Sequence, residues 1–238
     1  MPRFRSGHAE SGGGGESPLA SLLLQKVETA GLTHAQAQPA ASSGGMPRFR
    51  SGGGPAPSAD QTKATVAIMF TDIQGSTAYF AERGDDAGFE MIERHNSLLF
   101  PVLQSHGGVV IKTIGDAIMG CFEKPMLAAS AAVDMQKVLQ EHNRGQTDSK
   151  EQIRVRIGVH YGEAIVKKHD PVTGRPADVF GNLVNVASRI ESLANGGEVF
   201  VSHDVAALTD HPIRCESLGE KQLKGVSQPV VVFRVDWQ

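Results

Sequence analysis

Apolar and polar positions along the chain fall into two regimes that change near residue 60. Beyond it they alternate with the periods of strands and helices. Residues 66–72 run Val-Ala-Ile-Met-Phe-Thr-Asp, an apolar stretch ending in a carboxylate with Gly75 as a break, and read as a buried strand. Ser76 or Thr77 is expected to cap a short helix. Asp85 and Asp86 precede a longer helix carrying Phe89, Ile92, Leu98, Leu99, Val102 and Leu103, closed by Gly107 and Gly108. Val109–Ile114 and Ala117-Ile118-Met119 flank Gly115-Asp116, a hairpin signal that leaves Asp116 at the tip. Pro125 opens a helix with Leu127, Ala131, Val133, Met135, Val138 and Leu139 on one face. Residues 153–157 alternate as a half-exposed strand, and Gly162 is expected to turn it into Ala164-Ile165-Val166. A helix at 183–193, a strand at 198–202 and a pair around 213–218 and 230–235 complete the series. Strand, helix, hairpin, helix, strand predicts an α+β fold with a ferredoxin-like βαββαβ core and added C-terminal elements.

Residues 1–60 form the other regime. Glycine fills 12–15 and 52–54 amid Ser, Ala and Pro, and such a segment buries too little apolar surface to offset its chain entropy. It is expected to be low-complexity and disordered, with a marginal short helix near 18–30 where Leu19, Leu22, Leu23, Val27 and Ala30 approach helical spacing. Met-Pro-Arg-Phe-Arg-Ser-Gly occurs at 1–7 and again at 46–52, too short and isolated for a repeat fold. The globular domain is therefore expected at 61–238.

Composition narrows the class. The 238 residues are 40% apolar and 21% charged with net charge −3, too balanced to make nucleic acid or anionic membrane a general partner. Cys121 and Cys215 lack metal spacing, which fits a reducing compartment. No apolar run approaches the roughly 18 residues of a membrane span, and no signal peptide is evident. A soluble, cytoplasmic protein is expected. His95, His106, His160 and His169 show no metal spacing and read as structural.

The chemistry-bearing residues form two groups. With the hairpin beside the first strand, Asp72 and Asp116 emerge at one edge, and two such carboxylates make a site for a hard cation such as Mg²⁺. If a helix starts at Gly181, Asn182, Asn185 and Arg189 share one face. Taken singly, Asp72 could equally be a helix cap, Lys112 a solvated strand residue and Asp178 a loop acid.

Phe70-Thr71-Asp72-Ile73-Gln74-Gly75-Ser76-Thr77, Lys112-Thr113-Ile114-Gly115-Asp116-Ala117 and residues 181–189 resemble the three signatures of class III nucleotidyl cyclase catalytic domains, in order and spacing, from Thr65 to about Val235. The resemblance implies a homodimer with sites at the subunit interface. Asp72 and Asp116, helped by the Ile73 carbonyl, would bind two Mg²⁺ (or Mn²⁺). From the other subunit, Asn185 would orient the ribose and Arg189 would stabilise charge on the transferring phosphate. Lys224 resembles the triphosphate lysine. Adenine offers an acceptor at N1 and a donor at N6; Lys112 donates and Asp178 accepts, which favours ATP over GTP because a mispaired buried group costs about 1–3 kcal/mol. The implied activity is adenylyl cyclase, ATP to cyclic AMP and pyrophosphate. The alternatives are a guanylyl cyclase or a catalytically silent nucleotide-binding dimerisation module. A diguanylate cyclase would resemble Gly-Gly-Asp/Glu-Glu-Phe where this hairpin has Ile-Gly-Asp-Ala, and the Walker pattern is absent.

Overall fold

The computed structural model describes residues 61–168, 177–208 and 213–238. The expected disorder and helix within 1–60, the repeated heptapeptide and His169 lie outside the described residues.

Strand β1 (Gln61–Ile73) is followed by α1 (Ser76–Arg83), α2 (Asp85–Ser105), β2 (Val109–Ile114), β3 (Ala117–Phe122), α3 (Pro125–Arg144) and β4 (Val155–Lys167). Then come β5 (Asp178–Phe180), α4 (Asn182–Glu191), β6 (Val199–Ser202), α5 (His203–Ala207), β7 (Arg214–Lys221) and β8 (Val230–Asp236). The sheet runs β2-β3-β1-β4-β6-β8-β7, with β5 on the far half of β4. Its first four strands, β2-β3-β1-β4, with both crossovers helical, are the ferredoxin-like core.

β1 lies at the centre because both of its faces are apolar. Ala67, Met69 and Ile73 point into a core formed with Leu99 and Leu103 of α2 and Met135 and Leu139 of α3. Val66, Ile68 and Phe70 point the other way, against Leu183 and Ala187 of α4. A strand buried on both sides reads as a continuous apolar run, which is how residues 66–70 appear in the sequence. α4 is amphipathic as expected: Leu183, Val186, Ala187 and Ile190 are buried, while Asn182, Asn185 and Arg189 are exposed.

Two local expectations are corrected. Gly162 makes no turn; β4 continues through it, pairing Gly162 with Val66 of β1. Its first half also pairs with β6 and its second half with β5, so partners on both edges keep it extended. The missing side chain instead admits α4, since a Cβ there would stand 3.3 Å from the Leu183 side chain. Neither Ser76 nor Thr77 caps α1. Gly75, left-handed at φ 83°, holds the cap position with no side-chain bond, and its carbonyl accepts from Tyr79 N–H at 3.0 Å.

Candidate active site

Asp72 ends up beside Asp116 because of strand register. β1 pairs with β3 up to Thr71 opposite Ile118, so the β2–β3 turn closes next to the end of β1. Gly115 has φ 63°, a left-handed turn position that costs glycine little, and Asp116 follows it, half-buried. The Ile73 N–H donates to Asp116 Oδ2 at 3.2 Å. This bond ties the hairpin tip to the β1 residue next to Asp72. Burial raises the Asp72 carboxyl above the ordinary aspartate range, the nearby Asp116 charge adds to it, and Arg156 opposes both.

Arg156 is a residue that sequence reasoning missed. It stands directly across from Asp72 in the β1–β4 register and donates to Asp72 Oδ2 from Nε at 2.9 Å and from a terminal nitrogen at 2.6 Å. Glu191, the last residue of α4, is buried on the other side of the guanidinium, with Oε1 2.6 Å from Arg156 Nε. That N–H is aimed at Asp72, so Oε1 is paired in charge yet accepts no hydrogen bond among the described residues. Burial pushes the Glu191 carboxyl up to about 7, against the Arg156 charge. Gly158 brings the end of α4 this close: a Cβ on it would stand 2.2 Å from Glu191 N. The signal for Arg156 was the alternation of residues 153–157, but only the register shows which side chain faces Asp72.

Asp72, Asp116 and the Ile73 carbonyl are hard oxygen donors, and the repulsion that helps raise Asp72 is what a divalent cation would relieve. Among the described residues no three His, Cys, Asp or Glu side chains converge on a metal site. Mg²⁺ is commonly held by one or two carboxylates together with substrate phosphates, so the donor set fits that ion. Beside it, a cleft of about 390 Å³ is lined by Ile73, Gln74, Gly75, Ser76, Tyr79 and Lys150 among others. A larger cleft of about 540 Å³, near Gly197, Arg214 and Trp237, contains none of the motif residues.

The second group is assembled on a sheet edge. Lys112 Nζ donates to both Asp178 oxygens at 2.9 Å and lies 5.9 Å from the centre of the Phe180 ring. The Asp178 carboxylate also takes its neighbour's Val179 N–H at 2.8 Å. A cation donor and a carboxylate acceptor 66 residues apart in sequence thus share one spot. Asn185 and Arg189 project from the exposed face of α4. Lys224 is exposed between buried Leu223 and Gly225, the latter at φ 80°. Of the histidines read as structural, His95 is fully buried, with burial lowering it to about 4, His106 meets Asp134 at 3.1 Å and His160 meets Ser202 at 2.8 Å.

Known proteins resemble this chain in sequence and in fold. The chain is 27% identical over 208 residues to the receptor-type adenylate cyclase GRESAG 4.1 of Trypanosoma brucei brucei, covering 72% of this chain and 17% of that protein. It is 35% identical over 162 residues to the adenylate cyclase of Schizosaccharomyces pombe, covering 61% of this chain and 9% of that one. The chain therefore spans under a fifth of the length of either relative. The crystal structure of the adenylyl cyclase CyaB from P. aeruginosa superposes with a TM-score of 0.65 at 25% identity, covering 74% of this chain and 95% of that one. Residues 58–235 match the family described as the adenylate and guanylate cyclase catalytic domain, and the chain belongs to that family.

Proposed function

We propose that this domain is an adenylyl cyclase, converting ATP to 3′,5′-cyclic AMP and pyrophosphate at sites shared between two copies of the chain. The observation that carries the choice of base is the Lys112–Asp178 pair. Opened by a nucleotide, it presents a donor to adenine N1 and an acceptor to the N6 amine. Guanine, with a donor and an acceptor at those positions, would be mispaired twice, at about 1–3 kcal/mol each.

Asp72, Asp116 and the Ile73 carbonyl would hold two Mg²⁺ or Mn²⁺. When bound, the ions lower the pKa of the ribose 3′-hydroxyl and neutralise charge on the α-phosphate. The hydroxyl would give its proton to solvent water, its oxygen would bond to the α-phosphorus, and the bond from that phosphorus to the pyrophosphate oxygen would break, releasing pyrophosphate. Little covalent work falls to the protein; its side chains position groups and stabilise charge. Asn185 orients the ribose, Arg189 faces the transferring phosphate, and Lys224 meets the triphosphate.

Placement supports a homodimer. One chain carries both the carboxylate half and the base half, so two copies make two complete sites. Ile114, Ile165 and Phe180 are 55%, 39% and 47% exposed. Two of them lie directly beside the base pair: Phe180 pairs with Ile165 in register and its ring neighbours Lys112. Exposed apolar side chains grouped around a polar site suit a partner surface. No described helix is long and apolar enough to cross a membrane.

The test is turnover of ATP and GTP side by side with Mg²⁺ or Mn²⁺, reading cyclic product and pyrophosphate. Cyclic AMP with little cyclic GMP is expected. Predominant cyclic GMP would overturn the base assignment, and no product from a folded dimer would overturn catalysis.

A further inference from the structure

Gln74 joins the carboxylate half of the site to a turn 122 residues further along the chain. Its N–H donates to the Arg154 carbonyl at 2.8 Å, and its side-chain Oε1 accepts the Gly196 N–H at 3.1 Å. Gly196 allows this approach because it has no side chain. A Cβ there would stand 2.5 Å from Gln74 Oε1 and 2.8 Å from Arg154 Cβ. The turn at 194–197 is itself held on several sides. Asn195 donates to Glu198 Oε2 from its backbone at 2.8 Å and from Nδ2 at 2.9 Å. Gly197 gives its N–H to the Val155 carbonyl at 2.9 Å and takes the Trp237 indole N–H at 2.8 Å. α1, which follows Gln74, buries no residue fully, so the β1–α1 segment has little core of its own to fix it.

The peptide between Ile73 and Gln74 shows what the anchor holds. A peptide is planar and trans, so its carbonyl and its N–H point in opposite directions. With the Gln74 N–H aimed at Arg154, the Ile73 carbonyl faces the other edge of β1, where the Ile73 N–H meets Asp116. One main-chain bond leaves that plane free to rock, and the side-chain bond to Gly196 supplies a second fixed point.

We propose that Gln74 is a positioning residue, which through Gly196 keeps the Ile73 carbonyl turned toward the cation held by Asp72 and Asp116. A carbonyl free to turn away would leave the cation short of one of its few protein donors. One neutral hydrogen bond is strong enough to change the affinity about fivefold.

The inference rests on Asp72 and Asp116 being the cation ligands, and one experiment separates the two claims. Mn²⁺ is titrated into the full chain by electron paramagnetic resonance, with a non-cyclisable ATP analogue present throughout, for wild type, Asp72→Asn, Gln74→Met and Gln74→Glu. Asp72→Asn should abolish tight Mn²⁺ binding; unchanged binding there overturns the ligand assignment itself. Given that loss, Gln74→Met, which keeps the side chain's length but not its acceptor, should weaken Mn²⁺ about fivefold. Gln74→Glu keeps an acceptor for the Gly196 N–H and should bind at least as tightly as wild type. Wild-type affinity in Gln74→Met, or equal weakening in both variants, would overturn the role of Gln74. The carbonyl carbon resonance of Ile73 gives a direct second readout. Diamagnetic Mg²⁺, with the same analogue, should shift it in wild type and shift it less in Gln74→Met. Equal shifts in the two chains would overturn the proposal.

Discussion

Each half of the site pairs an aspartate with a cation, and the two pairs are built differently. Asp72 and Arg156 face each other across two central strands, with Glu191 and Asp116 close enough to shift the balance. Lys112 and Asp178 meet at the sheet edge, with side chains 41% and 23% exposed, and no second charged side chain bonds to either among the described residues. An exposed pair of this kind contributes about 0–1 kcal/mol, so on the proposed function a nucleotide base would part it at small cost. The first pair is fixed by register, helix packing and a buried acid. Connectivity and depth, more than residue type, separate a group held ready for release from one held in place.

The largest effect should come from breaking the carboxylate half. Asp72→Ala or Asp116→Ala should lower kcat by at least about a thousandfold, with cooperative unfolding retained, checked by turnover and circular dichroism. Wild-type rates in either variant would remove that residue from the cation site.

The edge pair should respond to exchange more than to loss. Lys112→Glu with Asp178→Ser should raise the GTP-to-ATP ratio of kcat/KM by about a hundredfold, since two hydrogen-bond pairings change sense. The ratio is measured on both nucleotides, and an unchanged ratio would place base selection elsewhere.

Packing beneath the carboxylate half gives the next effect. Gly158→Ala would push a methyl against the backbone of Glu191 and should destabilise the chain by about 1–3 kcal/mol in denaturant unfolding. Gly162→Ala meets only the Leu183 side chain, at 3.3 Å, and should cost less. The reverse order would mean that α4 does not bear on β4 where the structure has it.

An effect of similar size is expected in pH dependence. With Glu191 raised from 4.5 to about 7 in the folded chain, the native state keeps a proton that the unfolded chain releases. Its contribution to stability is present below pH 4.5 and is lost as pH rises through about 7. His95, lowered from 6.5 to about 4, works in the opposite sense: the unfolded chain binds the proton first, so stability falls as pH drops from about 6.5 to 4. Subtracting the pH profile of Glu191→Gln from that of wild type should isolate the first slope, on the order of 1–3 kcal/mol across the window. A flat difference would show that Glu191 titrates alike in both states.

Much of this arrangement was legible in the sequence, for physical reasons. A doubly buried strand and a hairpin with Gly-Asp at its tip each carry a local signature, so β1, Asp72 and Asp116 could be placed together from pattern alone. The polar stripe on α4 was equally plain, because helix periodicity puts Asn182, Asn185 and Arg189 on one side whatever the helix packs against. Arg156 and Glu191 were not legible. Their partnership depends on which residue of β4 faces which of β1, and a one-residue slip would send Arg156 to the opposite face. Gly162 misled for a related reason: a glycine inside a strand looks like a break until the pairing on both edges is known. Ser76 looked like a cap by composition, but the left-handed Gly75 takes that position.

The most direct test of a site shared between two copies mixes an Asp72→Ala chain with an Arg189→Ala chain, each inactive alone. Half of randomly assorted dimers would then hold one intact site out of two, so activity should return to about a quarter of wild type. Two folded chains that exchange subunits and still give no product would contradict the shared site.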